Sequence, residues 1–122
     1  MYRNLVETSN DLIWSVDAQG RWTYLSPAAA RRIYGCEPVQ MLGRELREQL
    51  APEVSERDRT VFRRILKGES EFDYETRHIR PDGGYIDLLL NAVPMRDAAG
   101  AVIGATGTAR SEERRVGKEC RL

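Results

Sequence analysis

The chain has 122 residues, 41% of them apolar and 31% charged, with nineteen basic and nineteen acidic side chains that cancel. That length suits one compact domain with a core of its own. The composition excludes a disordered or collagen-like chain, and zero formal charge argues against a surface built to neutralise phosphates.

Residues 110–122 hold five basic and three acidic side chains; without them the balance is 14 to 16, a net −2. Nucleic acid is therefore not an expected partner. The longest aliphatic run, Leu88–Leu90, is far too short to cross a bilayer, so no membrane insertion by this segment is expected. The opening "MYRNLVETSN" is polar and mixed and lacks the pattern of a secretion signal. Cys36 and Cys120 have no CxxC or CxxH spacing, which points to neither a disulfide framework nor zinc. The expected location is cytoplasmic.

Residues 1–10 are expected to form a short capping helix anchored by Leu5 and Val6. In "DLIWSVDAQGRWTYLSP", Leu12, Trp14 and Val16 alternate with Ile13, Ser15 and Asp17, the period of a strand. Asp17–Gly20 is a turn, and Trp22, Tyr24 and Leu25 make the return strand of a hairpin. Ser26 and Pro27 then open a helix that Gly35 stops. "CEPVQMLGRELREQLAP" gives one or two short helical turns. A longer helix follows, with Ser55 and Asp58 resembling a capping box and Val54, Val61, Phe62, Ile65 and Leu66 forming an apolar stripe.

The second half is β again. Phe72, Tyr74, Thr76 and His78 alternate with Asp73, Glu75, Arg77 and Ile79. "PDGG" turns the chain into "YIDLLLNAVPM", a strand expected to end at Pro94. "DAAG" leads into "AVIGATGTA", whose glycines imply a close approach to the backbone. A hairpin, several helices and a three-stranded meander predict an α+β half-barrel: one five-stranded antiparallel sheet with helices over one face.

This order resembles the PAS domain family. The carriers are "DLIWSVDAQGRWTYLSPAAARRIYG", "EPVQMLGREL" and "HIRPDGGYIDLLLNAVPMRDAAGAVIGATGTAR", in sequence and at the family's spacing. The resemblance covers residues 2–109, with the domain itself expected at 11–109. It implies a sheet order of 2-1-5-4-3 and a cavity between sheet and helices. In different members that cavity holds haem, flavin, a metabolite or only side chains. It also implies a module within a longer signalling protein, biasing a histidine kinase, a cyclic-di-GMP-type enzyme or a transcription factor.

Fold alone does not assign a ligand. Flavin photoreceptors of the family carry a reactive Cys where this chain has Leu46, which excludes a cysteinyl-flavin adduct. Their flavin-binding Asn and Gln positions align with His78, Leu88 and Ala109. Haem members place an axial His on the long helix, and "SERDRTVFRRILKG" has no His, Met or Cys. The cofactor stays open. His78 reads either as a ligand-contacting or pH-sensing imidazole, or as a wall residue bonded to the Arg80 carbonyl or Tyr85. The cavity-lining candidates are Trp14, Val16, Tyr74, Thr76, His78, Leu88 and Leu90, unless Trp14 and Tyr74 fill the space themselves.

No catalytic constellation stands out. The one His sits on a strand without a nucleophile in a known local setting, and "GATGTA" has no Lys and no following helix. Two functions compete. One is a sensor whose small ligand shifts the packing. The other is a ligand-free module that homodimerises through Tyr2, Leu5 and Val6 and the outer sheet face.

Family members commonly continue into an Asp-Ile-Thr motif and an exit helix. This chain continues instead with "RSEERRVGKECRL". Its first eleven residues resemble the translation of a widely used sequencing adapter. Residues 110–122 are therefore expected to be non-native, and the chain to be a fragment whose effector domain in cis has been lost.

Overall fold

The computed structural model describes residues 11–111. Tyr2, Leu5 and Val6, the expected helix over 1–10, and Cys120 with the rest of 112–122 lie outside the described residues. The elements in order are β1 (Leu12–Asp17), β2 (Trp22–Leu25), α1 (Pro27–Tyr34), two 3₁₀ turns (Pro38–Gln40 and Leu46–Gln49), α2 (Pro52–Leu66), β3 (Glu71–Ile79), β4 (Tyr85–Arg96) and β5 (Val102–Ser111). All strand pairs are antiparallel, in the order β2-β1-β5-β4-β3. The helices and 3₁₀ turns cover one face, where Leu12, Trp14, Val16, Leu88, Ala92, Ala105 and Ala109 meet Ile33, Tyr34, Val61 and Ile65 in one core.

Strand alternation holds along β1 and register shifts break the ladders in three places: one between Met95 and Arg96 against β5, and two, in β2 and β3, that change which side chains face the core. Ser15 pairs with Tyr24 while Val16 pairs with Trp22, which leaves one extra residue in β2. Trp22 and Leu25 thereby both turn inward and Tyr24 turns out. On β3 the register shifts between Glu71 and Tyr74, at Asp73, whose φ is 55°. Glu71 takes the inner side opposite Ala92, and Phe72 is thrown out to 64% exposure. The expectation that Phe72 shares a face with Tyr74 is corrected by this bulge.

Three boundaries also move. α2 begins at Pro52 with Ala51 as its cap, so Ser55 and Asp58 lie inside the helix and form no capping box. Proline at the first turn loses no hydrogen bond, which makes Pro52 the better start. β4 runs through Pro94 to Arg96. β3 stops opposite Ala92, so β4 is an edge on that side at Pro94, and its missing N–H leaves no ladder bond unmade. β5 continues to Ser111, two residues past the boundary expected at 109, with Arg110 opposite Leu89 and Ser111 opposite Leu88.

Ser26 precedes Pro27 as expected, but its hydroxyl does not cap α1. It accepts the Ile13 amide at 2.9 Å, and the Ser26 amide donates to the Ile13 carbonyl. The helix is thus stitched to β1 from its first residue. Among the described residues no helix is long and apolar enough to cross a membrane.

The glycines of β5 have a definite reason. A Cβ at Gly107 would overlap the Asn91 carbonyl on β4, and one at Gly104 would overlap the Val16 carbonyl on β1. Both obstacles are backbone and cannot swing aside. Gly107→Ala should lower stability by about 3 kcal/mol. Gly100→Ala, at a turn with φ 89° and open space, should cost only about 1 kcal/mol. Urea unfolding midpoints of both variants check this; equal losses would show that the sheet accommodates a methyl at 107.

Candidate ligand cavity

The inner face of the sheet is not fully filled. A cavity of about 230 Å³ lies between α2, the second 3₁₀ turn and strands β1, β3, β4 and β5. Its walls are mostly apolar: Leu12, Leu50, Val61 and Ile65 line it with Leu88, Leu90 and Ala109. Five of the seven candidates from the sequence, Trp14, Tyr74, His78, Leu88 and Leu90, line it. Val16 and Thr76 do not. Val16 is fully buried in the core beside Trp22 and Ala105, and Thr76 is engaged by α2. Leu46, at the position of the photoreceptor cysteine, lines the cavity, as do His78, Leu88 and Ala109.

One wall is aromatic. Trp14 meets Trp22 edge to face at 6.4 Å, Trp22 meets Tyr34 at 6.2 Å, and Tyr34 stacks on His78 at 6.0 Å and 27°. Such rings bring large area and fixed geometry. The Trp22 indole N–H donates to buried Gln49 at 3.2 Å. The Trp14 indole N–H is buried and has no hydrogen-bond partner among the described residues, an uncommon state for an interior donor.

His78 is 4% exposed, and its Nδ1 lies 2.8 Å from the Tyr34 hydroxyl. Its partner is therefore Tyr34 on α1, not the Arg80 carbonyl or Tyr85. Burial pushes the imidazole down to about 4, so it is neutral at physiological pH. Burial likewise raises the Tyr34 phenol, with a smaller push from Cys36. The contact is thus a hydrogen bond between two neutral groups.

Asp58 forms the second polar feature. Near the middle of α2, its side chain 9% exposed, it accepts hydrogen bonds from Tyr74 at 2.5 Å and from Thr76, and Arg57 lies 3.4 Å away. The Tyr74 phenol is pushed up to about 12, first by burial and then by its bond to Asp58. Arg57 also covers the Tyr74 ring, 5.0 Å from its centroid. The helix is thereby tied to β3 across one edge of the cavity. Cys36 is half-buried against the core, and burial pushes its thiol up, which suits a packing role rather than a reactive one.

Sequence reasoning missed Trp22, Tyr34 and Asp58 as cavity residues. Trp22 faces inward only because of the β2 bulge. Tyr34 carries a readable signal, since it lies four residues after Ala30 on the sheet-facing side of α1. Asp58, one of three acidic residues among four arginines on α2, carries none.

Linkage gives His78 a definite signature. Its ordinary value of 6.5 falls to about 4 in the fold, so the unfolded chain binds the extra proton between those values. The stability His78 contributes is complete above about pH 6.5 and is lost progressively as pH falls toward 4. The double variant Tyr34→Phe/His78→Leu replaces the pair with apolar groups of similar shape. From pH 7.5 to 5.0 it should lose about 2 kcal/mol less stability than the parent chain. Urea unfolding at the two pH values measures the difference; parallel losses would mean that His78 protonates freely in the fold.

Comparison with known proteins follows the same lines. A sequence model described as the PAS fold matches residues 1–111. The methanogenesis regulatory histidine kinase FilI of Methanothrix harundinacea (strain 6Ac) is 29% identical over 109 residues, 89% of this chain and 12% of that protein. Among solved structures, a PAS domain from Colwellia psychrerythraea superposes with a TM-score of 0.71 at 18% identity, covering 91% of this chain and 97% of that one. The N-terminal domain of a diguanylate cyclase with PAS/PAC sensor from Marinobacter aquaeolei gives 0.69 at 17% identity, covering 83% and 94%. At those identities the two structures speak for the fold alone.

Proposed function

The chain belongs to the PAS fold family, and on that premise we propose that it is a cytoplasmic sensory module of a longer signalling protein, taking a small ligand in its internal cavity. The observation that carries this reading is the cavity itself, about 230 Å³ of mostly apolar space that Trp14 and Tyr74 leave open. Pockets for drug-sized ligands run from roughly 300 Å³ upward, so the ligand is small. With Leu46 at the adduct position, it is not a covalently held flavin. Catalysis belongs to an effector domain elsewhere in the full protein. The likeness to a histidine kinase over 89% of this chain makes a kinase the first effector to test.

Signal output requires that the ligand prefer one packing over another. The contacts available for this are Asp58 with Tyr74 and Thr76, and Tyr34 with His78, because each joins a helix to β3 beside the cavity. A ligand that displaces Tyr74 or the α2 turn above it would shift α2 against the sheet.

A second reading, a ligand-free homodimerisation module, is favoured by a different surface. Ile13 and Tyr24 stand on the outer sheet face and are 47% and 49% exposed. They leave apolar area there for a second copy.

Native mass spectrometry with absorption spectroscopy separates the two. The ligand reading expects a small non-covalent adduct, either co-purified or acquired from a hydrophobic metabolite mixture, and its loss in the cavity-filling variant Leu46→Trp. A bare monomer mass in every sample, with the Leu46→Trp variant indistinguishable from the parent, would reject a ligand. A concentration-dependent dimer without any adduct would favour the second reading.

A further inference from the structure

The mouth of the cavity differs in chemistry from its interior. The exposed side chains that line it include Arg47 on the second 3₁₀ turn and Arg59 and Arg63, one turn apart on α2. The acidic groups that also line it are Glu45 and Asp58, and both are already engaged. Glu45 pairs with Arg47, and Asp58 accepts from Tyr74 and Thr76. Arg63 donates only to the Thr60 hydroxyl, at 3.1 Å. Among the described residues neither Arg59 nor Arg63 has a carboxylate within 4.0 Å. Two guanidinium groups without acidic partners therefore stand at the open end of an apolar cavity.

We propose that the cavity takes a medium-chain aliphatic carboxylate, with its tail among Leu46, Val61 and Leu90 and its head group at Arg59 and Arg63. The inference rests on the ligand reading above and names the class of that ligand. A charged group cannot be carried into the apolar interior without a large desolvation cost, so the carboxylate must stay at the mouth. Guanidinium groups suit it there, since they match a carboxylate with paired, charge-assisted hydrogen bonds and remain charged at every relevant pH. The interior fits the tail. At about 30 Å³ per liquid water, 230 Å³ equals roughly eight waters, enough for a chain of moderate length but not for a long-chain lipid. A cationic amphiphile would meet Arg59 and Arg63 unfavourably, and a neutral one would leave them unused.

The test is titration of the full chain, followed by Trp fluorescence because Trp14 and Trp22 line the cavity. The probes are decanoate, 1-decanol and decyltrimethylammonium, each below its aggregation concentration. Decanoate should bind tightest. The double variant Arg59→Gln/Arg63→Gln, altered only at exposed positions, should weaken decanoate about tenfold or more and leave 1-decanol unchanged. Leu46→Trp should abolish binding of both. Equal binding of decanoate and 1-decanol, both insensitive to the arginine variant and both lost in Leu46→Trp, would overturn the carboxylate assignment and keep a small-ligand cavity. Tightest binding by the cation would overturn it as well. Decanoate binding that survives Leu46→Trp would place the site elsewhere and overturn it. No binding by any probe would remove the ligand reading along with the inference.

Discussion

The carboxylate of Asp58 accepts hydrogen bonds from Tyr74 and Thr76 across the gap between α2 and β3 and ties one edge of the helix to that strand. A buried carboxylate must be satisfied by donors or neutralised. Here the donors all come from one strand and one neighbouring arginine, so the helix is pinned at one edge. Val61 and Ile65 then reach the core, while Phe62 and Leu46 stop short of closing it. The polar tether holds the elements together while leaving apolar space between them.

On the far side of the same space, Tyr34 and His78 make a comparable link between α1 and β3. The two links differ in charge. The Tyr34–His78 pair is neutral and wholly buried, so it fixes a distance without a net field. The Asp58 link has a guanidinium beside it, that of Arg57 at 3.4 Å. Both links converge on β3 at Tyr74, Thr76 and His78, every second residue of one strand. β3 is an edge strand, held to the rest of the sheet only through β4.

Much of the architecture was legible in the residues. The alternation of Leu12, Trp14 and Val16, the turn at Asp17–Gly20, the helix from Pro27 to Gly35 and the close approach at Gly104 and Gly107 all lie in local pattern. The sheet order came from the resemblance, because local pattern does not say which strands neighbour each other. What escaped were departures from period. The bulges at Asp73 and in β2 reverse the facing of Glu71, Phe72 and Trp22 relative to the rest of their strands, and an extra residue in a ladder leaves no mark in alternation until the partner strand is known. The role of Asp58 escaped for a related reason. Three residues after Ser55 it looked like half of a capping box, and only the contact with β3 shows why a carboxylate stands there. Of the site candidates, the long apolar and aromatic ones line the cavity. Val16 and Thr76 share their face but lie outside it, since the cavity is smaller than the face.

The central claim is that side chains leave a dry, accessible void between α2 and the sheet. Crystals of the chain pressurised with xenon test this most directly, because xenon enters apolar cavities of this kind without needing a polar contact. Xenon bound among Leu46, Val61 and Leu90, with Trp14 and Tyr74 in place, is the expected result. A cavity that takes up no xenon, its space filled by a rotated Trp14 or Tyr74 or by α2 packed down on β3, would contradict the account.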